Sequence, residues 1–121
     1  MTKDLEDIIN EIRMVDFALK KHGGRCLIDL SIYNEDTPYV AFSFWDVNKE
    51  SALGIMRSLG IKKADKLYRM GDVDWRHNNI TFNRVEKCKV IGYEEKIVPE
   101  HIEKIPKYQC PNGQKTVKVD D

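Results

Sequence analysis

Net charge is the first thing this chain lacks: its 121 residues carry 20 Lys/Arg against 20 Asp/Glu. That balance by itself assigns the protein to no class of partner. Long apolar runs are missing too. The longest near-continuous one is Tyr39 to Trp45, far short of the roughly 20 residues that span a bilayer. The N-terminus has no apolar core after Met1 and so does not read as a secretory leader. Three cysteines (Cys26, Cys88 and Cys110) make an odd count without paired spacing, which argues against a disulfide framework. The reading is a soluble, cytoplasmic domain.

Motifs are equally sparse. There is no G-x-x-x-x-G-K-[ST], G-x-G-x-x-G or G-x-S-x-G, no aromatic RNA-binding box and no GXXG. His22, His77, His101 and the three cysteines form no C-x-x-C or H-x-x-x-H pair. Structural zinc needs such pairs because one turn must present two ligands at once. We therefore expect no metal and no cofactor.

Charge is present, but segregated. Residues 1–56 hold 6 Lys/Arg and 10 Asp/Glu, residues 57–89 hold 9 and 4, and residues 90–121 hold 5 and 6. The middle third is therefore basic. Lys62, Lys63, Lys66, Arg69, Trp75, Arg76, His77, Lys87 and Lys89 make it the candidate binding segment, with Arg57, Arg84, Tyr68 and Phe82 interleaved. Lys and Arg neutralise phosphates, and an exposed Trp or Tyr stacks on an unpaired base. The plainer reading is that the lysines blunt an edge strand and Trp75 caps the core.

Periodicity outlines the fold. Leu5, Ile8, Ile9, Ile12, Val15 and Leu19 recur at helical spacing, acids lead, bases close, and Gly23-Gly24 stops the element. The spacing predicts a helix over Lys3–His22 with an acidic face of Asp4, Glu6, Asp7, Glu11 and Asp16. From Arg25 the period becomes two, and Cys26, Ile28, Leu30 and Ile32 share the face expected to be buried. Asn34–Pro38 reads as a turn into a second strand, Tyr39–Trp45, closing an antiparallel hairpin. Asn48 caps a short helix whose stripe is Ala52, Ile55, Met56 and Leu59. Residues 61–70 fit either a helical turn or a lysine-rich edge strand. Val73–Trp75 and Ile80–Tyr93 read as strands, the second interrupted near Val85 by a bulge or break. Pro99, Pro106 and Pro111 argue against a central strand beyond residue 94.

The expectation is an α+β domain over residues 1–93. Four to five antiparallel strands, in the order α-β-β-α-β-β, carry two helices on one face. Residues 94–121 would form an extended, proline-containing arm with a frayed end from Asn112.

Catalysis finds little support. Asp72 and Asp74, two apart on one strand face, do not complete a metal-assisted site, and Asp29, Glu86 and the cysteines read as solvated carboxylates and inert thiols. Function is then expected to be non-enzymatic: a small protein-binding adaptor or inhibitor of a larger machine, including one that handles nucleic acid. Phages and mobile elements encode many proteins of this size and type. A two-signed surface also allows self-association. Nucleic-acid binding through residues 57–89 is the alternative, and a metal-dependent enzyme ranks last.

Overall fold

The protein is described by a computed structural model covering residues 4–32, 38–110 and 115–119. Helix α1 runs Leu5–His22. Asp4 caps it by accepting from the Asp7 N–H at 2.9 Å, and the Asp7 side chain reaches back to the Asp4 N–H, a reciprocal capping box. Helix α2 runs Lys49–Ser58 behind an Asn48 cap that accepts from the Ser51 N–H at 2.8 Å. The two helices meet where His22 packs over Gly54. A Cβ there would overlap the imidazole ring, so glycine sets their close approach.

Six strands make one sheet: β1 (Arg25–Ser31), β2 (Tyr39–Trp45), β3 (Lys63–Arg69), β4 (Asp72–His77), β5 (Ile80–Lys87) and β8 (Thr116–Lys118). Their order across the sheet is β1-β2-β5-β4-β3-β8. Two further strands, β6 (Lys89–Val98) and β7 (His101–Gln109), pair only with each other. The architecture is α+β, as the periodicity implied, but the sheet is mixed, because β2 and β5 are parallel. Helix α2 carries the chain from β2 across to β3. The antiparallel meander β3-β4-β5 then folds back until β5 lies beside β2. Asparagines stitch that parallel seam: the Phe42 N–H donates to the Asn79 carbonyl, and the Asn79 and Asn83 amides donate to the Val40 and Phe44 carbonyls.

One face of the sheet carries the core. Phe42, Phe44, Phe82, Trp75, Val73 and Ala64 share it by register, and Ile8, Val15, Ala18, Ala52, Ile55 and Met56 from the helices complete the cluster. The Phe44 and Phe82 rings stack with centroids 4.9 Å apart.

The structure decides two open sequence expectations and corrects others. Residues 63–69 are strand, with Ala64 buried and Lys63 exposed. The expected interruption near Val85 is a bulge, where the β4–β5 register shifts and Arg84 takes a φ of 54°. Buried Asp74 holds it by accepting from the Arg84 N–H at 2.8 Å. The segment from Glu94 is no single extended arm: it completes β6 and supplies β7, with Pro106 inside a strand. A two-stranded ribbon tolerates that proline because each strand keeps an open side. The chain then returns as β8 against β3. The Asn34–Pro38 turn, Pro38 apart, lies outside the described residues, as do Lys3 and residues 112–114, 120 and 121 of the expected frayed end, whose described residues instead include β8.

Beneath α2 lies a buried charge cluster. Glu86 on β5 accepts from the Trp75 indole N–H at 3.0 Å and from Lys66 at 3.1 Å, while Lys49 of α2 stands 3.2 Å away. Burial pushes the Glu86 pKa up, but these three donors outweigh it and hold the carboxyl below its ordinary value of 4.5. A depressed carboxylate pKa contributes stability that is complete above the unfolded value. It is lost as pH falls through the folded one. The melting temperature should therefore drop steeply below about pH 4.5. Glu86→Gln should remove that acid-side slope and cost roughly 3 kcal/mol at neutral pH by stranding Lys66, measured by denaturant unfolding across pH 3–8.

Candidate functional site

Strands β6 and β7 pair along nine positions, from Lys89 opposite Gln109 to Val98 opposite His101. At about 3.3 Å per residue the ribbon reaches roughly 30 Å from its root. Almost every residue in it is exposed. A lone two-stranded ribbon is marginal in water, so the anchoring of its root matters.

Three contacts make that anchor. The Cys88 and Cys110 sulfurs are bonded across the base, with Cys88 inside the core cluster and Cys110 packed against it. The Cys88 N–H donates to the Gly71 carbonyl at 2.6 Å. The Tyr108 ring lies over Gly71, where any Cβ would sit 2.5 Å from it. With a φ of 93° that position suits glycine twice over. The disulfide overturns the expectation drawn from cysteine spacing. An interval of 22 residues carries no motif in sequence, and only the return of β7 to the root of β6 brings the sulfurs together.

Register divides the ribbon into two unlike faces. Ile97 pairs with Ile102, Tyr93 with Pro106, and Val90 with Tyr108, while Glu95 opposite Lys104 is the charged rung on that side. Ile91, the extra residue of the bulge, lets Val90 rejoin the apolar side. The opposite face is mainly polar, with Ile105 and Val98 its apolar positions: Lys107 meets Glu94 at 3.1 Å, His101 meets Glu103 at 3.1 Å, and Lys96 stands across from Glu103. Ile97 is 84% exposed, Tyr93 63% and Ile102 59%. An apolar stripe on a projecting element, with none of the described residues laid over it, is the surface a partner would cover.

The basic segment is dispersed by comparison. Trp75 is fully buried with its N–H committed to Glu86, and Lys66 lies beside it, so neither is available to a base or phosphate. His77 is half-buried on the same side of the sheet. Lys63, Arg69, Arg76 and Lys87 fall on the outer face, Lys62 is exposed before β3, and Lys89 stands at the root of the ribbon. On the outer face, aspartates interleave with the bases: Arg69 lies 3.7 Å from Asp74 and Arg84 3.6 Å from Asp72. These two pairs offset part of the positive charge on that face.

A shallow cleft of about 510 Å³ opens at the carboxyl ends of the parallel strands β2 and β5, lined by Arg25, Trp45, Asn83 and Arg84 among others. Arg84 lies 5.9 Å over the Trp45 ring, and Arg25 is paired with Asp46. Cys26, the unbonded thiol, is pushed up to about 11 by burial, against a backbone hydrogen bond from Ser43 that lowers it. At neutral pH it stays protonated and is a poor nucleophile.

Sequence reasoning took residues 94–121 as one extended arm and so missed the pairing of β6 with β7. The alternation of Val90, Tyr93, Glu95 and Ile97 against Ile102, Lys104 and Pro106 across Pro99-Glu100 was the available signal.

Reduction of Cys88–Cys110 should loosen the ribbon and spare the body. A bridge closing this interval contributes about 3 kcal/mol. Backbone amides of β6 and β7 should then exchange about 100-fold faster, while those of β2, β4 and β5 keep their protection, as read by hydrogen-exchange mass spectrometry.

Comparisons with protein-family models, with curated proteins and with solved structures find no match to this chain.

Proposed function

We propose that this chain is a non-enzymatic protein-binding module, an adaptor or inhibitor that docks on a larger protein through the β6–β7 ribbon. The observation that carries this reading is the exposed apolar stripe of Tyr93, Ile97, Ile102 and Pro106 on a strand pair that projects from an otherwise complete domain. A ribbon inserts as a preformed unit, so little chain entropy is lost on docking. The complementary surface is an apolar groove, and the Lys96, Glu94, Glu103 and Lys107 side leaves the ribbon's back in water. Within residues 57–89, Lys66, Arg69 and Arg84 are paired with Glu86, Asp74 and Asp72, which lowers the charge the segment can offer to phosphate and favours a partner read by shape and apolar contact.

The test is affinity capture from cells that make the protein, comparing wild type with Ile97→Thr/Ile102→Thr, which keeps strand propensity and sets no like charges across that rung. Both side chains are exposed, so the double variant should unfold within about 0.5 kcal/mol of wild type. It should lose the proteins that wild type retains, with captured partner reduced at least tenfold. Retention of the same proteins by the double variant would remove the ribbon from the function. Salt-dependent binding of oligonucleotides that survives the double variant but disappears on charge reversal of Lys63, Arg69 and Arg76 would instead favour the outer face of the sheet.

A further inference from the structure

The two edges of the six-stranded sheet are built differently. β8 closes one with three residues, preceded by Lys115 and ending on Lys118, short and charged in the way that discourages pairing. β1 closes the other with seven residues, no proline, no bulge and no lysine. Among the described residues no strand covers its outer side. Its apolar side chains are uncovered on both faces: Leu27 is 63% exposed, Ile28 43% and Leu30 44%. The sequence pattern expected Ile28 and Leu30 to be buried, and by register they do share the face of Phe42 and Val40. Helix α1 turns Leu5 and Ile9 outward as well, on a flank away from His22 and its contact with α2. Gly23-Gly24 leads directly from the helix to the edge strand.

Backbone direction shows what the edge accepts. The Phe42 N–H points to β5, so Ala41 and Ser43 turn their peptide groups to β1. Their partners Asp29 and Leu27 therefore face β2, and Cys26, Ile28 and Leu30 present unpaired N–H and C=O groups outward. An antiparallel copy of β1 can pair there about a two-fold axis. Registers centred on Arg25 or on Asp29 would oppose like charges. Centred on Leu27, Arg25 of each copy stands across from Asp29 of the other, Leu27 meets Leu27, and Cys26 pairs with Ile28. Arg25 is two-thirds exposed and holds Asp46 through its Nε, leaving the rest of its fork for a second carboxylate. The two-fold axis runs perpendicular to the sheet, so both helix layers fall on one side of the joined sheet.

We infer that the protein forms a symmetric dimer through β1, joining two six-stranded sheets into one continuous twelve-stranded sheet in the register centred on Leu27. This isologous contact closes on itself, unlike a head-to-tail association of acidic and basic faces. It leaves the β6–β7 ribbon of each copy unused, so the dimer would present two docking ribbons.

Light scattering coupled to size exclusion should give twice the 14.1 kDa chain mass for wild type. Asp29→Arg sets Arg against Arg twice across the axis and should weaken the dimer at least tenfold, by sedimentation velocity over a dilution series. Arg25→Asp/Asp29→Arg exchanges the charges and should restore it. Asp29 is exposed, so neither variant should disturb the fold, and circular dichroism checks this. As an independent readout, Ile28→Cys should give a disulfide-linked dimer with Cys26 of the partner copy under mild oxidation. A monomeric wild type would overturn the proposal. So would a dimer indifferent to Asp29→Arg, or one that the double exchange fails to rescue.

Discussion

Everything in the body of this domain hangs on one buried carboxylate. Glu86 receives the Trp75 indole, the Lys66 ammonium and the Lys49 ammonium, and so ties β5 to β4, β3 and the first turn of α2. Its own burial is unfavourable and is offset only because three donors converge on it. The same cluster sets the depth of Trp75, the largest fully buried side chain, around which the core is packed. A cluster of this kind specifies one arrangement of four elements in a way that interchangeable apolar contacts do not. That specificity matters where the meander β3-β4-β5 must return to lie beside β2.

The body is therefore complete without the ribbon, and the ribbon is complete only with help. Its root draws on the core through Cys88, Cys110 and the Tyr108–Gly71 contact, while its outer two-thirds rest on their own pairing. An element with few buried apolar contacts sits at the low end of local stability. The disulfide compensates by limiting how far it can open. The β1 edge is the second unfinished surface, and the two lie on different elements, so one can be occupied without blocking the other by sequence. Both are apolar surfaces that a lone domain leaves in water.

The outer face of the sheet shows why a charge count by segment misleads. Residues 57–89 are basic on paper, yet Lys66 is spent inside the core and Arg69 and Arg84 face aspartates of the neighbouring strand. Segment charge ignores the third dimension, in which strands from one segment neutralise each other. Asp74 is the clearest case. It reads as a solvated carboxylate or a metal candidate, but it is buried and accepts the Arg84 N–H at a bulge. Such a role has no sequence signature, because the donor is a backbone group ten residues away.

The sequence alone determined the local elements: α1 from its stripe, acidic start and Gly23-Gly24 stop, β1 and β2 from their alternation, and α2 from the Asn48 cap. Each depends on interactions within a few residues, and those are written in consecutive positions. Tertiary structure alone decided the parallel β2–β5 seam, the pairing of Cys88 with Cys110 and the burial of Trp75 on Glu86. It also decided the exposure of Ile28 and Leu30, whose alternation marks a face but not whether anything covers it. These outcomes turn on where α2 delivers the chain and where β7 returns. Such long closures are governed by the packing of whole elements, and no local pattern records them.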